Sequence, residues 1–383
     1  MQVDFLNSIN DISVADWSAL FGDDYPFTRH PFLLALESSG CTQASTGWQA
    51  QHIIVRQDEQ LIAAMPCFLK NHSYGEYVFD WAWANAYQHH GHRYYPKLVA
   101  AIPFTPAAGP RLSFAASIQN PQQQLSIIKN IEQALRDKSR SLGLSSWHVL
   151  FPLSELSSLL EESGWQQRLG VQYHWFNRQY PSFDDFLQRM KARKRKNIRK
   201  ERLAVQQQGI TMSTVLGAEI DEPLMSRFYG FYQKTYLKRS AQAGYLNMDF
   251  FQSIRNSLQD NLVMFCATKD DQLIAAALCF KDSQALYGRY WGCEQEYDFL
   301  HFETCYYQGI EFCIHHQLAR FDPGAQGEHK IPRGFEPIHT FSNHVILNPD
   351  FERAINHFIQ HEKTELNSQM SYLQDLLPFK TET

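Results

Sequence analysis

Sixteen residues near the C-terminal end, Asp322 to Pro337, read DPGAQGEHKIPRGFEP and hold the densest set of reactive side chains in the chain. Gln326, Glu328, His329, Lys330 and Arg333 follow one another within eight positions, and Gly324, Gly327 and Gly334 let a backbone approach a ligand closely. Loops of this composition tend to line sites. Lys330 and Arg333 carry the charge needed to stabilise an oxyanion or hold a donor phosphate. His329 titrates near neutrality without help. The chemistry such a set could serve is charge stabilisation coupled to proton transfer, which needs a group to take the proton. For that task Glu294, His301 and Glu303 compete with Glu328 and His329. Glu303 falls in the first turn of an expected helix, where the helix dipole weakens a carboxylate as a base. The plain alternatives are a surface turn with a structural salt bridge, and a helix-start glutamate.

A second feature is charge. The chain carries a net −5, yet Arg189 to Arg202 (RMKARKRKNIRKER) holds nine Lys/Arg against one Glu. On a helix Lys191, Arg195, Arg199 and Arg202 form a ridge flanked by Lys194 and Lys196. Like charges at that spacing repel, so the block is better explained by a phosphate-rich partner than by helix stability. No aromatics interleave it, which argues against base stacking. The bland reading is a solvated face balanced by the acidic remainder.

The elements that must position these residues come in two rounds. Leu61–Phe68 (LIAAMPCF) returns 212 positions later as Leu273–Phe280 (LIAAALCF), YGEY at 74–77 returns as YGRY at 287–290, and Tyr94-Tyr95 returns as Tyr306-Tyr307. A period this long is a domain rather than a solenoid unit. Each round reads as two helices, a three-stranded meander and a helix. In the first, strands are expected over Gln51–Arg56, Leu61–Leu69 and Tyr74–Asp80, then a helix near His92–Ala101 with Pro96 in its first turn. In the second, strands are expected over Leu262–Thr268, Leu273–Lys281 and Ala285–Trp291, then a helix over Phe302–Leu318. Ser182 caps a helix running through the basic block to Gln208. If 74–80 is a strand, Glu76 and Asp80 share one face and could flank a cleft between the copies, or serve as hydrogen-bonded core polars. Tyr290, in the matching second strand, joins them as a cleft candidate with Gln326 and Glu328.

At 383 residues, 44% hydrophobic and 14% aromatic, the chain has enough apolar material for two full cores. The first residues lack a secretory pattern and no run reaches the length of a membrane span, so a cytoplasmic protein is expected. Seven scattered cysteines without a CxxC pair read as reduced core thiols. His89-His90-Gly91-His92 and His315-His316 lack zinc-site spacing, so no metal is expected.

The stretches HSYGEYVFDWAWA (72–84), YYPKL (94–98), PFTPAAGPRL (103–112), RKRKNIRKER (193–202), LHFETCYYQGIEF (300–312) and GAQGEHKIPRGF (324–335) together resemble the FemAB-like family of N-acyltransferases. The resemblance spans nearly the whole chain. It implies an α/β fold of two tandem GNAT-like domains, and the better-known Fem proteins move amino acids from aminoacyl-tRNA to the amine of a peptidoglycan precursor. It also implies a basic helix beside the second domain and a Lys-x-Gly-Phe-like stretch, loosely matched by Lys330 and Arg333-Gly334-Phe335. One departure stands out. The pyrophosphate loop of coenzyme A-dependent GNAT enzymes is missing from WGCEQEYDFLH before Phe302 and from ANAYQHHGHR in the first round. That weakens acyl-coenzyme A and favours aminoacyl-tRNA as donor.

The expectation is therefore a first GNAT-like domain over 1–180, a basic connecting helix over 181–209 and a second GNAT-like domain over 210–383. Glu303, His329 and Lys330 are the catalytic candidates. Lys194, Arg195, Arg199, Arg202 and Arg333 are the donor or phosphate contacts, and Glu76, Asp80, Tyr290, Gln326 and Glu328 the substrate cleft. No cofactor is held permanently; acyl-coenzyme A or aminoacyl-tRNA serves as co-substrate, with tRNA and an amine-bearing precursor as partners. The competing expectation is a non-catalytic protein that binds RNA or a phosphorylated precursor through the basic helix.

Overall fold

In the computed structural model of the chain, which describes residues 1–241, 243–325 and 327–380, the polypeptide forms two compact units. Unit 1 comprises Met1–Gly170 and His339–Ser368; unit 2 comprises Val171–Ile338 and the chain from Gln369. The basic segment thus lies inside unit 2, and 339–368 belongs with unit 1. Among the described residues no helix is long and apolar enough to cross a membrane.

The elements run β1 (Gln2–Leu6), α1 (Val14–Phe21), α2 (His30–Ser38), β2 (Trp48–Ala50), β3 (His52–Gln57), β4 (Gln60–Met65), β5 (Phe68–Lys70), α3 (Trp81–His89), β6 (Lys97–Ala100), β7 (Ser113–Phe114), α4 (Pro121–Leu142), β8 (Ser146–Leu150), α5 (Ser154–Glu162) and β9 (Gln166–Phe176). Then follow α6 (Phe183–Gln188), α7 (Ala192–Gln207), β10 (Ile210–Leu216), α8 (Glu222–Ser240), α9 (Met248–Ser257), β11 (Leu262–Lys269), β12 (Gln272–Lys281), β13 (Ala285–Cys293), α10 (Leu300–Phe302), α11 (Gln308–His315), β14 (Arg320–Asp322), β15 (Glu336–Ile346) and α12 (Pro349–Asp375).

Unit 1 builds a four-stranded sheet, β1-β3-β4-β7, and a row β15-β8-β6-β5-β2 in which β6 and β8 are parallel. Unit 2 builds the row β10-β11-β12-β13-β14-β9, where β13 and β14 are the parallel pair. The repeated octapeptide folds the same way in both units. β3 pairs with β4 so that Ile53 faces Met65, and β11 pairs with β12 so that Phe265 faces Ala277, each partner shifted by 212. The register slips after Val55 in one hairpin and after Ala267 in the other. Asp58-Glu59 and Asp270-Asp271 turn the two hairpins with positive φ at both positions, the two-residue turn whose twist matches the flanking strands.

Five local expectations give way to tertiary structure. Pro66, which has no N–H for a ladder, splits the first LIAAMPCF into β4 and β5 in separate sheets, while its counterpart is the unbroken β12. Residues 74–80 are turn and loop instead of strand, so Glu76 and Asp80 do not share a strand face. Gly75 and Tyr77 have φ of 80° and 61°, and a Cβ on Gly75 would meet Phe104 at 2.6 Å. The helix expected near His92–Ala101 is strand β6, whose four residues are all buried between β5 and β8; the helix lies earlier, as α3. The single helix expected through the basic block is two, α6 and α7. Between them Lys191 N–H donates to Pro378 O and Lys380 N–H to Arg189 O, so the C-terminal segment claims the backbone that would have joined them. The helix expected over Phe302–Leu318 opens into a π turn at Glu303–Tyr307. β1 has no counterpart among the sequence expectations.

Each unit has its own core. Ile53, Val55, Ile62, Leu98, Trp147 and Val149 cluster in unit 1, with Ile127, Ile131 and Leu135 of amphipathic α4 laid against them. In unit 2 Trp175, Phe186, Phe265, Ile310, Phe321 and Phe335 cluster with Tyr306 and Tyr307 of the π turn. All seven cysteines are thiols outside disulfides, and five are buried.

Candidate functional site

The polar centre of unit 2 follows from how β13 leaves its neighbours. Against β12 the register slips between Leu278 and Cys279, which face Tyr290 and Gly288 and leave Arg289 as the extra residue. A bulge re-aims the side chain it carries. On its other edge β13 pairs with β14 for only three residues, ending at Tyr287 and Asp322. Beyond that point the chain enters the glycine-bearing loop, and buried charges collect. Asp322 and His174 are buried, and Arg289 Nη1 lies 3.8 Å from Asp322 Oδ2. His174 Nε2 lies 3.6 Å from Asp322 Oδ1. Lys330 is also buried, and its Nζ donates to Gly324 O at 2.6 Å, the one hydrogen bond of the ammonium among the described residues. A lysine ammonium has three donors, so two remain for another acceptor.

Burial pulls Lys330 down to about 8, with Asp322 opposing and Arg289 adding to the shift. Burial would push Asp322 up, but His174, Arg289 and the Gly324 N–H hold it below the usual carboxylate range. Burial brings His174 to about 4, so it is neutral at pH 7.

Beside this centre, neighbouring residues of α7 grip two other elements. Glu201 takes Arg333 Nη2 at 3.0 Å on each oxygen and the Tyr307 hydroxyl, while Arg333 Nε donates to Tyr307 Oη at 3.0 Å. Arg333 Nη1 donates to His329 O at 2.7 Å, and its guanidinium lies 3.4 Å from the Phe302 ring centroid. Arg202 donates from Nε and Nη2 to Glu303, and Nη2 also reaches Glu311 at 2.7 Å. Gln308 Nε2 donates to Glu303 Oε1 at 2.7 Å. Arg202 and Arg333, offered from sequence as phosphate contacts, are thus bound to carboxylates here, and Glu303 has its oxygens occupied. His329 Nε2 shares a 2.8 Å hydrogen bond with Tyr306 Oη, and burial, Lys330 and Arg333 lower its pKa. It is an exposed side chain in a short 3-10 helix, Glu328–Arg333, as is Glu328.

The other predicted residues fall elsewhere. Arg199 pairs with Asp184 at 2.9 Å, and Arg195 reaches Met190 O at 3.4 Å. Lys194 is half-buried and, with exposed Arg193, Lys196 and Lys200, makes no ion pair among the described residues. Tyr290 packs with Tyr232, Phe251 and Phe280. Gln326 lies outside the described residues. Glu76 and Asp80 belong to a buried network of unit 1. Lys97 Nζ donates to Glu76 at 2.8 Å, to Ser73 at 2.9 Å and to Asp80, which also takes the Tyr94 hydroxyl at 2.6 Å. Lys70 lies 3.9 Å from Glu76 and 3.5 Å from the Trp48 ring centroid. Burial pushes Glu76 up to about 7 despite Lys97. Asp80, which burial would raise, is carried down to about 2 by Lys97. Among the described residues no three His, Cys, Asp or Glu side chains converge as metal ligands would.

Sequence reasoning missed Glu201, Arg289, Asp322, Tyr306 and Tyr307. Glu201 was visible as the one acid in the basic block, and Tyr306-Tyr307 as a repeated pair, but their partners lie up to 132 positions away.

Comparison with solved structures places the chain beside FemX, with a TM-score of 0.52 at 12% identity over 93% of this chain and 100% of that one. The C-terminal domain of a putative lysylphosphatidylglycerol synthetase from Agrobacterium fabrum superposes with a TM-score of 0.50 at 10% identity over 92% and 96%. A tandem GNAT protein from the clavulanic acid biosynthesis pathway gives 0.48 at 9% identity over 91% and 99%. At such identities the first two likenesses speak to fold alone, and the α/β fold of two GNAT-like halves expected from the sequence is the fold observed. No curated protein matches the chain by sequence. A family model described as peptidoglycan biosynthesis/recognition matches residues 8–381, and the chain belongs to this FemAB-like family.

Proposed function

We propose that the protein transfers an activated acyl or aminoacyl group to the amine of a cell-envelope precursor, with the polar centre of unit 2 as the reacting site. The observation that carries this reading is Lys330: a buried ammonium with one hydrogen bond among the described residues, placed where β13 and β14 part. Two free donors on a buried cation suit a carbonyl oxygen that becomes negative during attack. The amine nitrogen attacks the acyl carbon, a C–N bond forms, and the bond to the donor's ester oxygen or thioester sulfur breaks. His329, neutral at pH 7, receives the proton that the amine loses, and the departing oxygen or sulfur takes one up. Family membership supports the precursor class, and the missing pyrophosphate loop supports aminoacyl-tRNA over acyl-coenzyme A as donor. Glu303, tied to Arg202 and Gln308, serves in this reading to anchor α7 to the π turn.

The test is single-turnover transfer from radiolabelled aminoacyl-tRNA to a peptidoglycan-precursor amine, together with anisotropy of labelled tRNA at two salt concentrations and coenzyme A as competitor. Amide product lost in Lys330→Ala, with tRNA binding retained and indifferent to coenzyme A, supports the reading. Absence of tRNA binding overturns the donor assignment. A second reading rests on Arg193, Lys196 and Lys200, exposed on α7 without ion pairs among the described residues: a protein that binds RNA or a phosphorylated precursor and catalyses nothing. There Lys330→Ala leaves function intact and neutralising α7 abolishes it.

A further inference from the structure

We infer that Asp322 is a positioning residue for Lys330, acting through a buried turn that fixes the direction of its ammonium and supplies its nearby negative charge. The inference rests on the reading of Lys330 given above and adds a residue that does not itself meet the substrate.

The turn is built from three residues. Asp322, the last residue of β14, has no exposure, and its Oδ1 accepts from Gly324 N–H at 2.8 Å. Gly324 has φ of 91°, a conformation that glycine adopts without strain, and a Cβ there would stand 3.3 Å from Gly288 O. With its N–H turned back to Asp322, Gly324 presents its carbonyl to Lys330 Nζ at 2.6 Å. One residue thus relays the carboxylate's position to the ammonium: move Asp322 and the carbonyl that aims Lys330 moves with it. The rest of the surroundings explain why the charge matters as well. Lys330 interacts electrostatically with Arg289 from β13, His174 from β9, Cys305 from the π turn and His329 from its own 3-10 helix, which also carries Glu328 and Arg333. Asp322 is the one carboxylate among the buried members of that group, set against three buried cations, Arg289, Lys330 and Arg333. A buried lysine left with only another cation for company would shed its proton.

Two substitutions read this in opposite directions. Asp322→Asn keeps an acceptor for Gly324 N–H and removes the charge; Arg289→Gln removes the competing cation. The direct readout is the titration of Lys330 Nζ, followed in the full chain by competitive acetic-anhydride labelling and mass spectrometry across pH. Asp322→Asn is expected to lower the Lys330 midpoint by about one unit or more, and Arg289→Gln to raise it. The high-pH limb of the transfer rate should follow the same shifts, with the low-pH limb unmoved. If Asp322→Asn folds and leaves the Lys330 midpoint in place, the inference is wrong. Should Asp322→Asn fail to fold, an unmoved or lowered midpoint in Arg289→Gln overturns it instead. Midpoints that move while the rate profile stays still keep Asp322 as the partner of Lys330 and sink the catalytic reading of Lys330.

Discussion

His148 of unit 1 and Asp322 of unit 2 hold the same register position in their sheets. From Phe68, which closes the first octapeptide, the ladder leads across to Val99 and on to His148; from Phe280, which closes the second, it leads to Tyr287 and on to Asp322. Each then meets a histidine of its antiparallel neighbour: His344 Nδ1 lies 2.7 Å from His148 Nδ1, and His174 Nε2 lies 3.6 Å from Asp322 Oδ1. The outcomes differ in charge. Burial drives His148 down to about 3 and His344 well below its ordinary value, so that pair is neutral, whereas Asp322 stays ionised. One duplicated position has become an uncharged hydrogen-bonded pair in one unit and a fixed negative charge beside Lys330 in the other.

The pH profile of transfer should be bell-shaped. His329 must be neutral to take a proton, and its lowered pKa places the acid limb below the ordinary 6.5. Lys330 must be charged to stabilise the oxyanion, so the basic limb should centre near 8. Initial rates between pH 5 and 10 check both; a rate that climbs steadily past pH 9 would rule out a charged Lys330.

Lys97→Met should cost about 3–5 kcal/mol of unfolding free energy, because it leaves Glu76 and Asp80 buried without their cation. Urea denaturation of the variant and the parent measures it. A loss under about 1 kcal/mol would mean that water reaches the network.

Glu76 makes a distinct stability contribution. Its folded pKa, about 7, lies above the ordinary 4.5, so the folded state binds the proton more tightly. That stabilisation is complete below pH 4.5 and is lost as pH rises through 7. Glu76→Gln, which mimics the protonated form, should therefore flatten stability against pH across this window. Lys70, lowered to about 6 by burial against the pull of Glu76, tilts the curve the other way at higher pH, and the substitution, by removing that pull, strengthens this opposite tilt.

On α7, reversing Lys196 and Lys200 to Glu should leave folding within about 0.5 kcal/mol, as expected for exposed positions. If these side chains meet phosphates, the dependence of tRNA affinity on salt should weaken by about 0.7 in log–log slope per lost contact. An unchanged slope would exclude them from the interface.

Gly292 and Gly230 offer a paired test of packing. A Cβ on Gly292 of β13 would stand 2.2 Å from the backbone carbon of Phe231 in α8, whereas one on Gly230 meets nothing within 4 Å. Gly292→Ala should destabilise by about 1–3 kcal/mol, and Gly230→Ala should stabilise by up to about 1 kcal/mol. Thermal melts of the two variants decide the sign.

What the sequence determined by itself is local and periodic. The octapeptide and the acidic dipeptide turns specify a hairpin wherever they occur, because alternating burial and a two-residue turn set register from within the segment. Hence both hairpins match down to their bulges. The helices α1, α4 and α9 also begin on local signals, the side-chain caps Ser13, Asn120 and Asn247. The loop from Asp322 was recognisable as chemistry because glycine and mixed charge crowd into it. Tertiary structure decided everything that depends on a distant partner. Residues 74–80 repeat a strand sequence but became a turn, because Lys97 recruits Glu76 and Asp80 as counter-ions. The basic run became two helices because the C-terminal segment took its hydrogen bonds. Arg202 and Arg333, read from the sequence as donor or phosphate contacts, found Glu303 and Glu201. A charge in a sequence has a sign and no address. Its partner is chosen only when the fold buries both, since an ion pair gains from low dielectric what an isolated charge would lose.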